Sequence, residues 1–336
     1  MADYPLLAIP AGKKADLVLE GGGVKGIGLV GAVMALDDAG YRFPRIAGTS
    51  AGAITAALIA ASQAAGKPLS ALQGYVDSVD YPKFQEESWI REKLGVVGDV
   101  GELLLHMGLH SGDYLVEWLG GILKDIGITT FAQLHLDDPG SSLPPARRSS
   151  LIVHTADITR GKLVRLPWEY GAYGLDPDEQ RIVDAVRASM SIPFFFEPVK
   201  VACKAATFEG VDYQAGTATW VDGGLLSNFP VEVFDRSDGQ PARWPTIGIK
   251  LSARDVVYAA GMASDDTVDV ALACLKTALN NANRYYLTPE KAGRTIFVDS
   301  TGISATDFDI TAPQRAQLFG NGQTAAQQWL KQASSP

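Results

Sequence analysis

Cysteine is scarce in this chain of 336 residues. The only two, Cys203 and Cys274, form no C-x-x-C pair, which argues against a disulfide framework or a zinc ribbon. Positive charge is also in deficit, because 29 Lys and Arg face 38 Asp and Glu, a net charge of −9. That balance disfavours nucleic acid as a partner and disfavours broad attraction to anionic lipid, although a local basic patch or an apolar surface could still contact a membrane.

Long apolar runs are missing as well. The stretch "ITAALIAA" is among the most apolar, and it is far shorter than the roughly 20 residues that cross a bilayer. The N-terminal "MADYPLLAIPAGKKAD" lacks a charged start followed by a long apolar stretch, so we expect no signal peptide. We therefore predict no transmembrane segment and a cytoplasmic protein that can associate peripherally with membranes.

Strand and helix patterns alternate along the chain. A short apolar strand, "DLVLE", is followed by a helix pattern over residues 26–39, a second strand in "RIAGTS" and a second helix over residues 50–65. Short turns between such elements are typical of a parallel sheet with crossover helices. We predict one α/β domain over residues 1–336, with a helical insertion at about residues 68–127.

The first turn carries a glycine pattern. In "LEGGGVKGIG", residues Gly21, Gly23 and Gly26 spell G-x-G-x-x-G. A dinucleotide site also needs an acidic residue at the end of the second strand, but this strand ends in "AGTS". A P-loop needs Lys and then Ser or Thr after its last glycine, but here Gly26 is followed by Ile27. The sequence therefore lacks the second feature that each type of nucleotide site requires.

The second turn contains a G-x-S-x-G pattern in which Ser50 lies between Gly48 and Gly52. Between a strand and a helix, this pattern is typical of a nucleophile elbow, in which small residues allow the tight turn. The alternative is a serine that caps the helix N-terminus.

The elbow gives the glycine loop a chemical use. An acyl-transfer intermediate carries a negative oxygen that needs oriented N–H donors. The amides of Gly22, Gly23 and Val24 could turn inward, with the Ala51 N–H as a further donor. Lys25 adds positive charge nearby, or is a solvated surface lysine.

No histidine is placed to activate this serine in the usual order. His106, His110, His135 and His154 all lie in the first half of the chain, whereas a hydrolase triad ends on a late histidine. No Glu follows His106, so the zinc motif H-E-x-x-H is not matched. We interpret all four as surface or core residues and predict no metal site.

An aspartate is the remaining candidate base. Asp222 ends an apolar strand in "TWVDGGLLSNFP". An Asp-Gly turn is the alternative interpretation, but the elbow, the glycine loop and the lack of a suitable histidine favour catalysis. An aspartate with a pKa of about 3.9 is a weak base at neutral pH, so burial and oxyanion stabilisation must compensate.

Together these segments resemble the patatin-like phospholipase family. The resemblance rests on "GGGVKG", "GTSAG", "DGGLLSNFP" and "ASMSIPFFFEPV", spread over about residues 16–230. It implies a three-layer α/β/α sandwich with a mostly parallel central sheet. The motif glycines are Gly21, Gly26, Gly48, Gly52, Gly223 and Gly224.

The resemblance implies a Ser–Asp dyad, with Ser50 as nucleophile and Asp222 as base, and an oxyanion hole that includes the backbone amides of Gly22, Gly23, Val24 and Lys25. It implies hydrolysis of fatty-acyl esters in phospholipids, lysophospholipids or glycerides at a membrane or micelle surface, with no cofactor and no calcium.

Several alternatives stay open at this point. The chain could be a soluble esterase or thioesterase for small acyl groups, a lipid-binding or storage protein with a vestigial site, or a nicotinamide enzyme. Phe194, Phe195 and Phe196 either line an acyl channel or belong to the core. The helical insertion either forms a lid or membrane-docking surface or simply packs on the core.

Overall fold

The computed structural model describes residues 4–85, 112–193, 195–251, 277, 288–305 and 307–333. Several predictions concern residues outside these ranges, namely Phe194, His106, His110 and Cys274. The sequence also predicts an amphipathic helix from the helical spacing of Val268, Leu272, Leu275 and Leu279, and these four residues likewise lie outside them. Of the helical insertion, residues 86–111 also lie outside them.

An eight-stranded sheet forms the centre of the fold. Its strands are β1 (Asp16–Leu19), β2 (Ile46–Thr49), β3 (Leu151–Asp157), β4 (Lys162–Leu166), β5 (Val199–Cys203), β6 (Gly216–Asp222), β7 (Thr246–Lys250) and β8 (Thr295–Phe297). The order across the sheet is β8-β7-β1-β2-β3-β6-β5, and β4 also pairs with β3. The five strands from β8 to β3 run parallel, whereas β6 and β4 are antiparallel to β3.

Helices on both sides of this sheet complete a mixed α/β architecture, as predicted. They are α1 (Ile27–Asp38), α2 (Ala51–Ala64), α3 (Ala71–Asp77), α4 (Asp113–Ile126), α5 (Ile182–Ser189), α6 (Pro289–Gly293) and α7 (Ala312–Ala333). Short strand pairs outside the sheet join Leu7–Ala8 to Leu136–Asp137, Lys13–Lys14 to Tyr41–Arg42, and Ala206–Phe208 to Val211–Tyr213. β1, β2 and β3 are buried along their whole length, which is why they read as apolar runs.

Two strands end head to head on one edge of β3. Strand β4 pairs with residues 153–157 of β3 and occupies one edge of that strand. Strand β2 pairs with residues 151–154 of β3, and because these residues overlap with the β4 pairing, β2 must occupy the other edge. β6 pairs with residues 155–157 and is likewise opposite β4. Thr49, the last residue of β2, therefore pairs with His154, and Asp222, the last of β6, pairs with Thr155. The topology thus brings the residues that follow β2 to the carboxyl end of β6.

The C-terminal helix α7 crosses α1 at a distance that only glycine permits. A Cβ on Gly322 would overlap the Gly28 carbonyl oxygen and lie 2.9 Å from the Ala32 nitrogen. A Cβ on Gly31 would overlap the carbonyl oxygen of Phe319. Since α1 begins directly after the glycine loop (residues 21–26), this crossing ties that loop to the C-terminal part of the chain.

We expect Gly322→Ala to lower the free energy of unfolding by about 1–3 kcal/mol, because the added methyl forces two packed helices apart. Gly320→Ala is the matched control, since a Cβ there meets no atom of the described residues within 4 Å. That change should raise stability by about 0.5–1 kcal/mol through helix propensity. Urea unfolding measures both, and equal stability of the two variants would contradict the close crossing.

Candidate active site

Ser50 lies in a strained turn between β2 and α2. Its backbone has φ 54° and ψ −126°, a region that costs a non-glycine residue about 1–3 kcal/mol. The turn is tight because a Cβ on Gly48 would overlap the Gly52 carbonyl oxygen, and a Cβ on Gly52 would overlap that of Leu19. The Ser50 side chain makes no capping bond to α2. It therefore does not act as the helix N-cap, which was the alternative interpretation of the pattern.

The end of α5 holds the backbone of this turn in place. The Ser50 N–H donates to Ser189 Oγ at 2.8 Å, and the Ser189 hydroxyl donates in turn to the His154 carbonyl oxygen at 2.6 Å. The Ser50 hydroxyl donates to Met190 Sδ at 3.5 Å. These contacts satisfy the polar groups of a residue that is only 4% exposed, and they help to retain a backbone conformation that serine rarely adopts.

Asp222 is buried beside this serine, at 2% exposure. Its backbone N–H donates to the Ser191 carbonyl oxygen at 2.8 Å, and its Oδ1 accepts the Gly224 N–H at 2.7 Å. Burial raises the pKa of the Asp222 carboxyl to about 7, while the neighbouring Ser50 side chain and the hydrogen bond from the Gly224 N–H act in the opposite direction. The desolvation that the sequence requires of a carboxylate base is thus present.

The histidines that can be placed do not lie between these two residues. His154 is fully buried, with Nδ1 3.3 Å from the Gly48 carbonyl oxygen and no partner for Nε2 among the described residues. Burial lowers the pKa of His154 to about 4, so the ring is neutral at pH 7. His135 Nε2 lies 2.6 Å from an Asp178 carboxylate oxygen.

The glycine loop lies against the serine turn. A Cβ on Gly21 would be 2.9 Å from the Ser50 Cβ, and one on Gly26 would be 3.1 Å from the Ala51 Cβ. Gly23 has φ 55° and could carry no side chain, because a Cβ there would overlap the Ala305 carbonyl oxygen. A Cβ on Gly223 would lie 2.5 Å from the His154 carbonyl oxygen, so the Asp222 turn packs equally closely.

The amides near Ser50 divide into two groups. The Val24 N–H donates to Ala305 O and the Lys25 N–H to Gly22 O, each at 3.1 Å. Among the described residues, the backbone N–H groups of Gly22, Gly23 and Ala51 donate no hydrogen bond to a backbone carbonyl in a turn or loop. Of the five amides proposed above as oxyanion donors, Val24 and Lys25 are therefore bound to carbonyl oxygens, whereas Gly22, Gly23 and Ala51 have no backbone acceptor among the described residues.

Charged side chains lie both beside and within the glycine loop. Glu20 is buried at the end of β1, where its carboxylate accepts the Leu251 N–H at 2.5 Å and pairs with Lys250. Burial is the main reason that the pKa of the Lys25 ammonium lies below its usual value, and the neighbouring Glu20 carboxylate opposes that shift. Lys25 is half-buried, not fully solvated.

Phe195 and Phe196 belong to an aromatic cluster. Phe195 stacks on Phe308 with ring centroids 5.2 Å apart, and Phe84 lies 6.4 Å from Phe196 and 5.5 Å from Phe308. Phe196 is buried, so it is a core residue, while Phe195 is half-buried. The cluster joins the start of the helical insertion to the segment after α5.

Sequence reasoning missed the residues that hold the site together. Residues 189–191 contact both Ser50 and Asp222, and their only sequence signal was membership of "ASMSIPFFFEPV". Asn228 binds the glycine loop and Ala305 accepts from it. Local patterns carry no signal for such bonds, because each partner is far away along the chain.

Neither a metal cluster nor a membrane span emerges from the part of the chain that the structure describes. No group of three His, Cys, Asp or Glu side chains there is placed to hold a metal ion. No helix there is both long and apolar enough to cross a bilayer.

Comparison with known proteins identifies a family for this chain. A family model described as "Patatin-like phospholipase" matches residues 17–235. The uncharacterized protein YqhO of Bacillus subtilis (strain 168) is 33% identical over 317 residues, which cover 94% of this chain and 98% of YqhO.

A solved structure supports the fold. The chain resembles VipD from Legionella pneumophila with a TM-score of 0.50 and 19% identity, over 96% of this chain and 67% of VipD. Two structures of the ExoU-SpcU complex of Pseudomonas aeruginosa match 98% of this chain and 52–53% of the matched chain, at 18–19% identity. Their TM-scores are 0.47 and 0.44. At such identity, the likeness to VipD bears on the fold alone.

Proposed function

Because the chain belongs to the patatin-like phospholipase family, we propose that it is a lipid hydrolase of the phospholipase A or lysophospholipase type that works through a Ser50–Asp222 dyad. The observation that best supports the proposal is that β2 and β6 end next to each other on one edge of β3, with Thr49 paired to His154 and Asp222 paired to Thr155. Ser50, which follows Thr49, and Asp222 are both buried. We also propose that residues 1–336 form one domain, since one buried apolar cluster extends from Ala15 to Ala326.

In the first half of the reaction, the Asp222 carboxylate takes the Ser50 proton as Oγ attacks the ester carbonyl carbon. The carbonyl oxygen becomes an oxyanion, which the free amides of Gly22, Gly23 and Ala51 can bind. The start of α2 adds partial positive charge at Ala51. The protonated Asp222 then delivers its proton to the leaving alkoxide, which departs as the alcohol and leaves an acyl-serine.

The second half repeats these steps with water. Asp222 takes a proton from water as the water oxygen attacks the acyl carbon, and the same amides hold the second oxyanion. Return of the proton to Ser50 Oγ releases the fatty acid. A carboxyl with a pKa of about 7 serves both directions, because near neutral pH it is neither fully ionised nor fully protonated.

We expect the purified chain to release fatty acid from phospholipid or lysophospholipid in mixed micelles. With p-nitrophenyl esters from butyrate to palmitate, kcat/KM should rise by up to about fourfold per added CH2 until the chain fills the site, because each buried CH2 contributes about 0.8 kcal/mol. Hydrolysis rates measured below and above the critical micelle concentration test the preference for micelles. The p-nitrophenyl ester series tests the dependence on acyl-chain length.

The same assays separate the alternatives. Maximal activity on butyrate with no response to micelles would favour a soluble esterase or thioesterase. A folded chain that binds lipid, hydrolyses none of these esters and is not labelled at Ser50 by a fluorophosphonate would contradict the proposed activity and favour a binding protein. Intact-mass measurement before and after labelling distinguishes these results.

A further inference from the structure

We infer that Asn228 is a positioning residue that orients the Gly22 N–H for the oxyanion, an inference that rests on the proposed function. Asn228 lies in the loop that follows Asp222, and it binds the glycine loop at two atoms. Its Nδ2 donates to the Gly21 carbonyl oxygen at 2.8 Å, and its backbone carbonyl accepts the Gly21 N–H at 3.1 Å. Gly21 is thereby held from both sides.

Peptide planarity turns this contact into control of a donor. The Gly21 carbonyl and the Gly22 N–H belong to one trans peptide group, so they point in opposite directions. Fixing the carbonyl on Asn228 therefore fixes the direction in which the Gly22 N–H points. Without that bond, the peptide between two glycines is free to rotate, because glycine imposes little restriction on φ and ψ.

The other two donors are fixed in the same way by backbone groups. The Gly22 carbonyl accepts the Lys25 N–H at 3.1 Å, which orients the Gly23 N–H, and the Ser50 carbonyl accepts the Ala53 N–H at 2.8 Å, which orients the Ala51 N–H. The Gly22 N–H differs from these two because a side chain holds the carbonyl of its peptide. A substitution at Asn228 can therefore release the orientation of the Gly22 N–H while leaving the other two N–H groups held.

Close packing supports the assignment. A Cβ on Gly21 would overlap Asn228 Oδ1 and would lie 2.9 Å from the Ser50 Cβ, so the amide group of Asn228 and the nucleophile flank the same glycine. The loop that follows the proposed base thus also sets the direction of the Gly22 N–H.

We expect Asn228→Ala to lower kcat by roughly ten- to a hundredfold with little change in KM, somewhat less than the 10²–10³ typical of losing a donor outright. Affinity for a trifluoromethyl ketone, whose serine adduct carries an oxyanion, should fall by a similar factor. The hydrogen bond from the Gly21 N–H to the backbone carbonyl of residue 228 does not depend on the side chain, so we expect the variant to keep the fold. If Asn228→Ala does not fold, the isosteric Asn228→Asp decides, because its carboxylate cannot donate to the Gly21 carbonyl.

The matched control is Asn321→Ala. Asn321 makes the same type of bond, from Nδ2 to the Asp299 carbonyl oxygen at 2.8 Å, but on α7. It should leave kcat and ketone affinity unchanged. An Asn228 variant with wild-type kcat, or with a raised KM and unchanged ketone affinity, would overturn the inference while the proposed function stands. A wild-type chain with neither ester hydrolysis nor labelling of Ser50 would overturn both.

Discussion

Ser50→Ala is expected to reduce ester hydrolysis by on the order of 10⁴- to 10⁶-fold, to the background of the assay, because the proposed acyl intermediate forms on the Ser50 hydroxyl. The fold should survive. The Ser50 hydroxyl caps no helix, and the Met190 sulfur that it meets at 3.5 Å is a weak acceptor. Hydrolysis, fluorophosphonate labelling and circular dichroism on the same preparation measure the three properties.

The strained backbone at Ser50 supplies a second test on the same residue. Alanine must keep φ 54° and ψ −126° at the cost that serine already bears, whereas glycine reaches this region without steric conflict. We expect Ser50→Gly to be as inactive as Ser50→Ala and to be more stable by about 1 kcal/mol. The pair thus separates lost chemistry from lost structure.

Two results would contradict this account. Substantial turnover by either variant would remove Ser50 as the nucleophile. Equal stability of the alanine and glycine variants in urea would indicate that the turn relaxes in solution, and so that the rigid elbow is not maintained.

The local motifs were predictable because each is short and lies within one turn of the chain. G-x-S-x-G after a buried strand requires little beyond its own residues, since Gly48 and Gly52 meet backbone atoms at the point where β2 passes into α2. The strand that ends at Asp222 was also readable from "TATWV". The first and second crossover helices begin and end within two residues of their predicted limits.

What sequence patterns could not reveal depends on contacts between distant residues. No local pattern states that β6 runs antiparallel to β3, although that direction is what turns the carboxyl end of β6 towards Ser50. β5 was missed because Lys200 and other partly exposed residues interrupt its apolar pattern. The Val24 amide donates to Ala305, a partner almost 300 residues away, so only the fold reveals that this proposed donor is already bound.

Asp222→Asn is expected to lower kcat/KM by about 10²- to 10⁴-fold, since an amide cannot accept the Ser50 proton. The wild-type pH profile should report the same group. The proposed mechanism requires the ionised form of Asp222. We therefore expect kcat/KM to be half-maximal near pH 7 and to fall as pH decreases, because burial raises the pKa of Asp222 to about 7. A plateau that continues down to pH 5 would indicate a base with a lower pKa.

The free energy of unfolding of the wild-type chain should fall as pH rises, which is opposite to the change in kcat/KM. The folded chain holds the Asp222 proton up to about pH 7, whereas the unfolded chain loses it near pH 3.8. Between these values the folded state binds more protons, so its stability falls as pH rises and reaches its low plateau above pH 7. The amide that replaces the carboxyl in the variant has no proton to lose over this range. We therefore expect Asp222→Asn to raise the free energy of unfolding at pH 8 by at most about 4 kcal/mol and to change it little at pH 4.

Asp16→Asn is the matched control. Asp16 is also buried, but its carboxylate forms an ion pair with Arg45, whose Nε lies 2.8 Å from Oδ1. Asp16 begins β1, at the end of the strand away from the site, so hydrolysis by the folded protein should persist. Removing its charge leaves Arg45 buried without its partner and should cost about 3–5 kcal/mol. We thus expect Asp16 to stabilise the fold without taking part in hydrolysis. We expect the buried Asp222 carboxylate, which forms no ion pair among the described residues, to lower the stability of the fold at pH 8. If both asparagine variants were destabilised at pH 8, Asp222 would be a structural carboxylate and the proton-transfer role would fail.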